Sequence, residues 1–254
     1  MEVKKLKEMG FDTRAVHAGK HKNEFGSLAI PIYQTSTFEF ENVDQGANRF
    51  SGKEGGYIYG RLGNPTTTAL EEKIAMLENA EAGVAFGSGM GAISSSIWVN
   101  VEQGAHIVAG SVLYGCTFAL LSHGLTKFGV ETDFVDMSDP ENVRKALKPN
   151  TKIVYLETPA NPSLRLADIE EISKIAHEIP GCVVIVDNTF ATPYIQRPIE
   201  LGADIVVHSA TKYLNGHGDV IAGLAVGTAE MMAKVRLVGL KDLTGSVLSP
   251  NDAF

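Results

Sequence analysis

Cys182-Val-Val-Ile-Val-Asp-Asn-Thr-Phe190 is an apolar run, rich in β-branched residues, that ends abruptly in a carboxylate. Such a run, with no polar alternation, predicts a strand buried on both faces, as in the middle of a parallel sheet with helices packed on either side. Asp187 then stands at the carboxyl end of that strand, where open α/β sheets bind their ligands, and a carboxylate there can pair with a cationic ligand atom. It can equally cap the following turn through its own backbone, and on these residues alone both readings stand.

The next apolar run, in Asp204-Ile-Val-Val-His-Ser-Ala-Thr-Lys-Tyr-Leu-Asn-Gly-His-Gly218, breaks off into hydroxyls and one lysine. A lysine amine is a poor nucleophile while protonated, and the buried edge of a parallel sheet is expected to disfavour its charged form and bring its pKa toward neutrality. Lys212 is therefore the candidate for a Schiff base, although a lone lysine is more commonly a solvated one in a surface turn. Upstream, Gly83-Val-Ala-Phe-Gly-Ser-Gly-Met-Gly-Ala-Ile93 predicts a short strand, a glycine-rich turn and a helix beginning near Ala92. Glycines let the backbone approach an anion, the first helical amides lack intrahelical partners and the macrodipole adds attraction, which makes a phosphate cradle. Ser209 and Thr211, beside Lys212, offer hydroxyls to the same phosphate.

A phosphate cradle, a carboxylate and a lysine together meet the needs of pyridoxal 5′-phosphate. The lysine holds the aldehyde, the carboxylate keeps the ring nitrogen protonated, and the protonated ring withdraws electrons from a substrate's α-carbon. Tyr114, in Ser111-Val-Leu-Tyr-Gly-Cys-Thr-Phe118, is placed to stack on the ring, though by itself it reads as a core or rim tyrosine. Gly87, Gly89 and Ala92 also satisfy the G-x-G-x-x-G/A dinucleotide pattern. That reading requires an acidic residue closing the next strand, and the run His106-Ile-Val-Ala109 leads into Gly110, Ser111 and Val112 instead.

Pro31-Ile-Tyr-Gln-Thr-Ser-Thr-Phe38, Tyr57-Ile-Tyr-Gly-Arg-Leu-Gly-Asn-Pro-Thr66, Glu157-Thr-Pro-Ala-Asn-Pro162 and the stretch Ser209 to Gly218 complete the pattern. With them the chain resembles, nearly end to end, the Cys/Met-metabolism family of pyridoxal phosphate enzymes of the fold type I group. The resemblance implies an internal aldimine at Lys212 and a pyridine nitrogen paired with Asp187. Gly89, Met90, Ser209 and Thr211 would hold the phosphate, and Asn161 the ring hydroxyl. Tyr114 would stack on the ring and help protonate the leaving group. Tyr59 and Arg61 would reach the phosphate of a neighbouring subunit, which implies a homo-oligomer, a tetramer built as a dimer of dimers with shared sites. A guanidinium suits that task because it grips a phosphate through two parallel hydrogen bonds.

Within the family, Cys116 resembles the residue of methionine γ-lyases, where relatives acting on cystathionine usually carry a small residue such as glycine. The implied reaction is α,γ-elimination of L-methionine to 2-oxobutanoate, ammonia and methanethiol. Cystathionine γ-lyase, cystathionine γ-synthase and O-acetylhomoserine sulfhydrylase share the cofactor residues and remain alternatives, and a class I aldolase is a more distant one. Members of the family continue through a smaller C-terminal domain carrying the arginine for the substrate carboxylate, and no arginine here matches that motif. A cofactor-binding fragment without turnover is therefore a further alternative.

The chain has 254 residues, 44% of them hydrophobic, enough for the core of one large α/β domain. The expected fold is a mostly parallel sheet with crossover helices, preceded by an arm over residues 1–65, with the large domain over 66–254. Asn64-Pro65 supplies a cap and first-turn proline to a helix through Leu77, and Asp168 to His177 reads as another helix. Lys and Arg number 22 against 30 acidic residues, a formal charge of −8, which argues against nucleic acid and anionic membranes as partners. No apolar run approaches the ~20 residues of a membrane span. The two cysteines, Cys116 and Cys182, are too few for a disulfide framework, and the expected location is the cytoplasm. The histidines are scattered without metal-ligand spacing, so no metal site is expected.

Overall fold

The computed structural model describes residues 3–254. Seven strands form one sheet: β1 (Ala82–Phe86), β2 (His106–Gly110), β3 (Glu131–Val135), β4 (Thr151–Glu157), β5 (Val183–Asp187), β6 (Ile205–Ser209) and β7 (Gly223–Gly227). Their spatial order is β1-β7-β6-β5-β4-β2-β3. The five strands from β6 to β3 pair in parallel, and β7 is antiparallel to both of its neighbours. The expected mostly parallel α/β sheet is thus present, with one reversed strand that the apolar pattern did not single out.

Alternation along β5 supplies two cores at once. Val183 and Ile185 pack on one face, and Val184 and Val186 on the other. Of the eleven α-helices among the described residues, α1 (Val3–Lys7), α2 (Phe11–His17) and α3 (Val43–Phe50) precede α4 (Pro65–Glu78) and α5 (Gly89–Trp98). Then come α6 (Gly115–Ala119), α7 (Pro140–Ala146), α8 (Ile169–Ala176), α9 (Thr192–Ile195), α10 (Ala229–Lys234) and α11 (Pro250–Ala253). Helices α4, α7 and α8 give Ile74, Val143 and Ile172 to the Val184 face, while α5 gives Ala92, Ile93 and Ile97 to the Ile185 face. The result is a three-layer sandwich of helices, sheet and helices.

The helix ends follow their sequence signals. Asn64 accepts from the Thr66 amide at 2.9 Å, and Pro65 occupies the first turn of α4. Asp168 caps α8 by accepting from the Glu171 amide at 3.0 Å. The same Asn64 donates to the Tyr33 carbonyl at 2.7 Å, and the Thr66 hydroxyl donates to the Pro31 carbonyl at 3.0 Å. These bonds dock residues 31–33 onto the start of α4.

One expectation requires correction. Helix α5 begins at Gly89, not near Ala92, because the Ser88 hydroxyl accepts from the Gly91 amide at 3.0 Å and draws the glycines into the first turn. The glycines are needed for close approach: a Cβ on Gly223 of β7 would lie 2.0 Å from the Ser88 carbonyl oxygen, and one on Gly89 would lie 2.7 Å from Cβ of Ser209. Strands β7 and β6 and the turn before α5 are in this way pressed together.

Ile185, fully buried at the centre of the sheet, tests the packing. Ile185→Ala should lower the unfolding free energy by about 2–5 kcal/mol in urea titrations, and a loss below about 1 kcal/mol would contradict close packing there.

Candidate active site

Strand parity selects the residues that gather at one end of the sheet. Glu157 and Asp187 are the last residues of β4 and β5 and pair in parallel register, and Asp187 pairs in turn with Val207 of β6. Paired residues project to the same face, and so does every second residue along each strand. Glu157, Asp187 and Ser209 therefore share the face on which α5 packs, at the carboxyl edge where its first turn lies. Asn188 and His208, of the opposite parity, turn to the α4 side, where both bond to Glu78 at 2.9 and 2.7 Å.

A cleft of about 310 Å³ opens there, lined by Gly89, Met90, Tyr114, Asn161, Asp187, Ser209, Thr211 and Lys212, together with Ser88, Ile93, Glu157, Thr189, Phe190 and Ile221. Its size falls within the range of small-molecule sites. Eight of the eleven residues selected from the sequence thus line one cavity.

Asp187 is 5% exposed, and burial raises its carboxyl above the ordinary carboxylate range, against the lowering effect of hydrogen bonds from Thr189. Oδ1 accepts from the Thr189 amide at 3.0 Å and from the Thr189 hydroxyl at 2.5 Å, while Oδ2 faces the Tyr155 hydroxyl at 3.4 Å. One oxygen of Asp187 thus closes the turn, while the carboxylate also lines the cleft. The Thr189 hydroxyl also accepts from the Ser209 amide at 2.8 Å, tying the ends of β5 and β6 together.

Glu157, which the sequence shows only as part of a motif, is a further residue of the site. It accepts from the Tyr114 amide at 2.8 Å and from the Asn161 amide at 2.6 Å. Burial first, and the charge of Asp187 second, push its carboxyl from the ordinary 4.5 up to about 7. Thr189 is a second such residue. The signal available for both was position, one at a strand end beside Asp187 and the other two residues past it.

Lys212 corrects a second expectation. It is exposed on the wall of the cleft, in the turn after β6, because the strand stops at Ser209 and the chain rises out of the sheet before reaching it. The Thr211 hydroxyl is engaged with Ala222, donating to its carbonyl at 3.2 Å and accepting from its amide at 3.0 Å. Tyr114 is 43% exposed at the rim. Cys116 lies beside it, its thiol donating to the Tyr114 hydroxyl at 3.4 Å. That hydrogen bond, then the charge of Cys116, hold the phenol above its usual pKa.

Tyr59 and Arg61 are not brought to this cleft. The Arg61 guanidinium lies 5.5 Å from the centre of the Tyr59 ring and donates to the Lys241 carbonyl, and both line a separate cleft with Arg49, Leu237, Lys241 and Asp242.

The donor set fits pyridoxal 5′-phosphate on three observations. Among the described residues neither Asp187 nor Glu157 has an ion-pair partner, so a protonated ring nitrogen would meet a buried carboxylate edge. The amides of Gly89 and Met90 have no intrahelical acceptor, being in the first turn of α5, and a Cβ on Gly89 would fill the space beside Ser209. Lys212 and Tyr114 stand on the walls of the same cleft. Among the described residues no cluster of His, Cys, Asp and Glu is arranged to hold a metal ion, and no helix is long and apolar enough to cross a membrane.

Comparison with known proteins identifies the family. Residues 12–254 match the family model for Cys/Met metabolism PLP-dependent enzymes. L-methionine gamma-lyase of Treponema denticola is 63% identical over 100% of this chain and 64% of its own length. A Campylobacter jejuni structure described as an O-acetylhomoserine (thiol)-lyase with N′-pyridoxyl-lysine-5′-monophosphate superposes with a TM-score of 0.93 at 31% identity, covering 97% of this chain and 68% of that one. Cystathionine gamma-lyase from Lactobacillus plantarum, complexed with L-serine, gives 0.87 at 41% identity over 96% and 61%. The chain spans about 64% of the length of the first of these relatives.

The raised carboxyl of Glu157 has a pH signature. Its folded pKa of about 7 exceeds the ordinary 4.5, so between those values the folded chain holds a proton that the unfolded chain has lost. The stability this proton contributes is intact below the lower value and lost as pH rises through the upper one, by roughly 2–3 kcal/mol after discounting for partial solvent screening. Urea titrations between about pH 5 and pH 8 should show stability falling with pH, with a shallower slope in Glu157→Gln. Equal slopes would contradict the assignment.

Proposed function

The chain belongs to the Cys/Met metabolism family of PLP-dependent enzymes, and from that premise we propose that it serves a carbon–sulfur lyase acting on L-methionine. With water consumed, α,γ-elimination would release methanethiol, ammonia and 2-oxobutanoate. The observation that carries the choice of substrate is the contact between Cys116 and Tyr114 at the rim of the cleft. The higher identity to the methionine lyase, 63% against 41% for the cystathionine lyase, supports the same choice.

Pyridoxal phosphate, when bound, supplies an electron sink that makes the substrate's α-carbon acidic. The residues of this chain supply anchoring and proton movement. Asp187 accepts the hydrogen bond of a protonated ring nitrogen at the buried strand end. The first-turn amides of α5 and the Ser209 hydroxyl receive the phosphate, with the helix dipole in support. Lys212, on the open wall, provides the amine that holds the cofactor and that takes the α-proton once released. The Tyr114 hydroxyl, whose raised pKa keeps it protonated, gives that proton to the departing sulfur. Cys116 holds that hydroxyl at the rim.

The assembly proposed is a homo-oligomer with shared sites. Tyr59 and Arg61 support it by lying in their own cleft, away from the Lys212 cavity of the same chain.

Kinetics on two thioethers test the proposal. The enzyme should form 2-oxobutanoate and methanethiol from methionine, and Cys116→Gly should lower kcat/KM for methionine relative to cystathionine by about tenfold. An unchanged ratio would remove Cys116 as the discriminating residue, and absence of methanethiol release would overturn the substrate.

A further inference from the structure

We propose that Glu157 is a positioning residue of the cofactor site, a single carboxylate that clamps the backbone on either side of the ring by accepting from the amides of Tyr114 and Asn161. The inference rests on the pyridoxal phosphate reading above and assigns a task that reading does not contain.

Glu157 ends β4, is 9% exposed and faces the cleft beside Asp187. Its Oε2 takes the Tyr114 amide at 2.8 Å and its Oε1 takes the Asn161 amide at 2.6 Å, joining segments 43 and four residues away in sequence. Neither segment belongs to a strand: Tyr114 precedes the short helix α6, and Asn161 lies in the loop after β4. Tyr114, at 43% exposed, has little packing to fix it, so its backbone anchor sets where the ring stands.

The choice of a carboxylate follows from donor counting. Two amides need two acceptor oxygens, and Glu or Asp provides both, whereas Gln offers one oxygen and turns an N–H group toward the second amide. Once Glu157 is ionised, above its pKa of about 7, these bonds are charge-assisted and about twice as strong as neutral ones. The cost is a second carboxylate buried next to Asp187: burial first, and the charge of Asp187 second, raise its pKa to about 7.

The test compares Glu157→Gln and Glu157→Asp with wild type as reconstituted holoenzymes. Equilibrium dialysis gives the affinity for pyridoxal 5′-phosphate, and visible circular dichroism of the bound cofactor reports how the ring is held. Loss of one clamp should weaken cofactor binding by about tenfold and change the dichroism per bound cofactor in Glu157→Gln. Glu157→Asp, which keeps two acceptor oxygens on a shorter reach, should fall between. A residue of purely structural importance would lower the unfolding midpoint while leaving the dichroism per bound cofactor unchanged, and that outcome overturns the proposal. So does a Glu157→Gln holoenzyme of wild-type affinity and spectrum. If Glu157→Gln does not fold, the same readouts on Glu157→Asp decide, and wild-type values there overturn the clamp. A wild-type protein without a cofactor band would instead overturn the underlying pyridoxal phosphate reading, and this inference with it.

Discussion

Two carboxylates forced side by side at the ends of adjacent parallel strands are the constraint on which this site depends. Register pairs Glu157 with Asp187, and the alternation of side chains aims both at the α5 face. Neither carboxylate has an ion-pair partner among the described residues, and burial raises the pKa of each. The local structure relieves this with hydrogen-bond donors: Thr189 for one, and the amides of Tyr114 and Asn161 for the other. What remains is an edge that favours a protonated or cationic ligand atom, beside the positive end of α5, which favours an anion. A molecule carrying a protonated ring nitrogen at one end and a phosphate at the other satisfies both.

The opposite face of the same strand ends carries a buried hydrogen-bond network. Glu78 at the end of α4 bonds to the buried His208 and Asn188, and Asn188 also donates to the Gln196 carbonyl at 2.9 Å. Gln196 in turn donates to the Thr158 carbonyl at 3.0 Å, which carries the network to the end of β4. Strands β4, β5 and β6 are thereby fixed from below by a polar network and left free above to present Glu157, Asp187 and Ser209. One residue of shift in any of the three would exchange the two sets.

Much of this was legible in the sequence because it rests on local physics. The apolar run ending in Asp187, the cap at Asn64-Pro65 and the glycines before α5 each depend on neighbours in the chain. The reversed direction of β7 depends on which strand it finds, and nothing in Gly223–Gly227 states that. The exposure of Lys212 depends on where the chain leaves the sheet, so reasoning from an apolar run alone overstated its burial. Glu157 was passed over because its meaning lies in bonds to residues 43 and four positions away, a relation that no spacing rule expresses. Tyr59 and Arg61 were assigned by resemblance, and the single chain places them together but apart from the Lys212 cleft.

The central claim is that Lys212 is the amine that holds pyridoxal phosphate in this cleft. Borohydride reduction of the holoenzyme followed by peptide mapping tests it most directly, with Lys212→Ala as the control. The account predicts a pyridoxyl group confined to Lys212 and absent from the variant. A folded protein that carries no such group, or that carries it on another lysine, would contradict it.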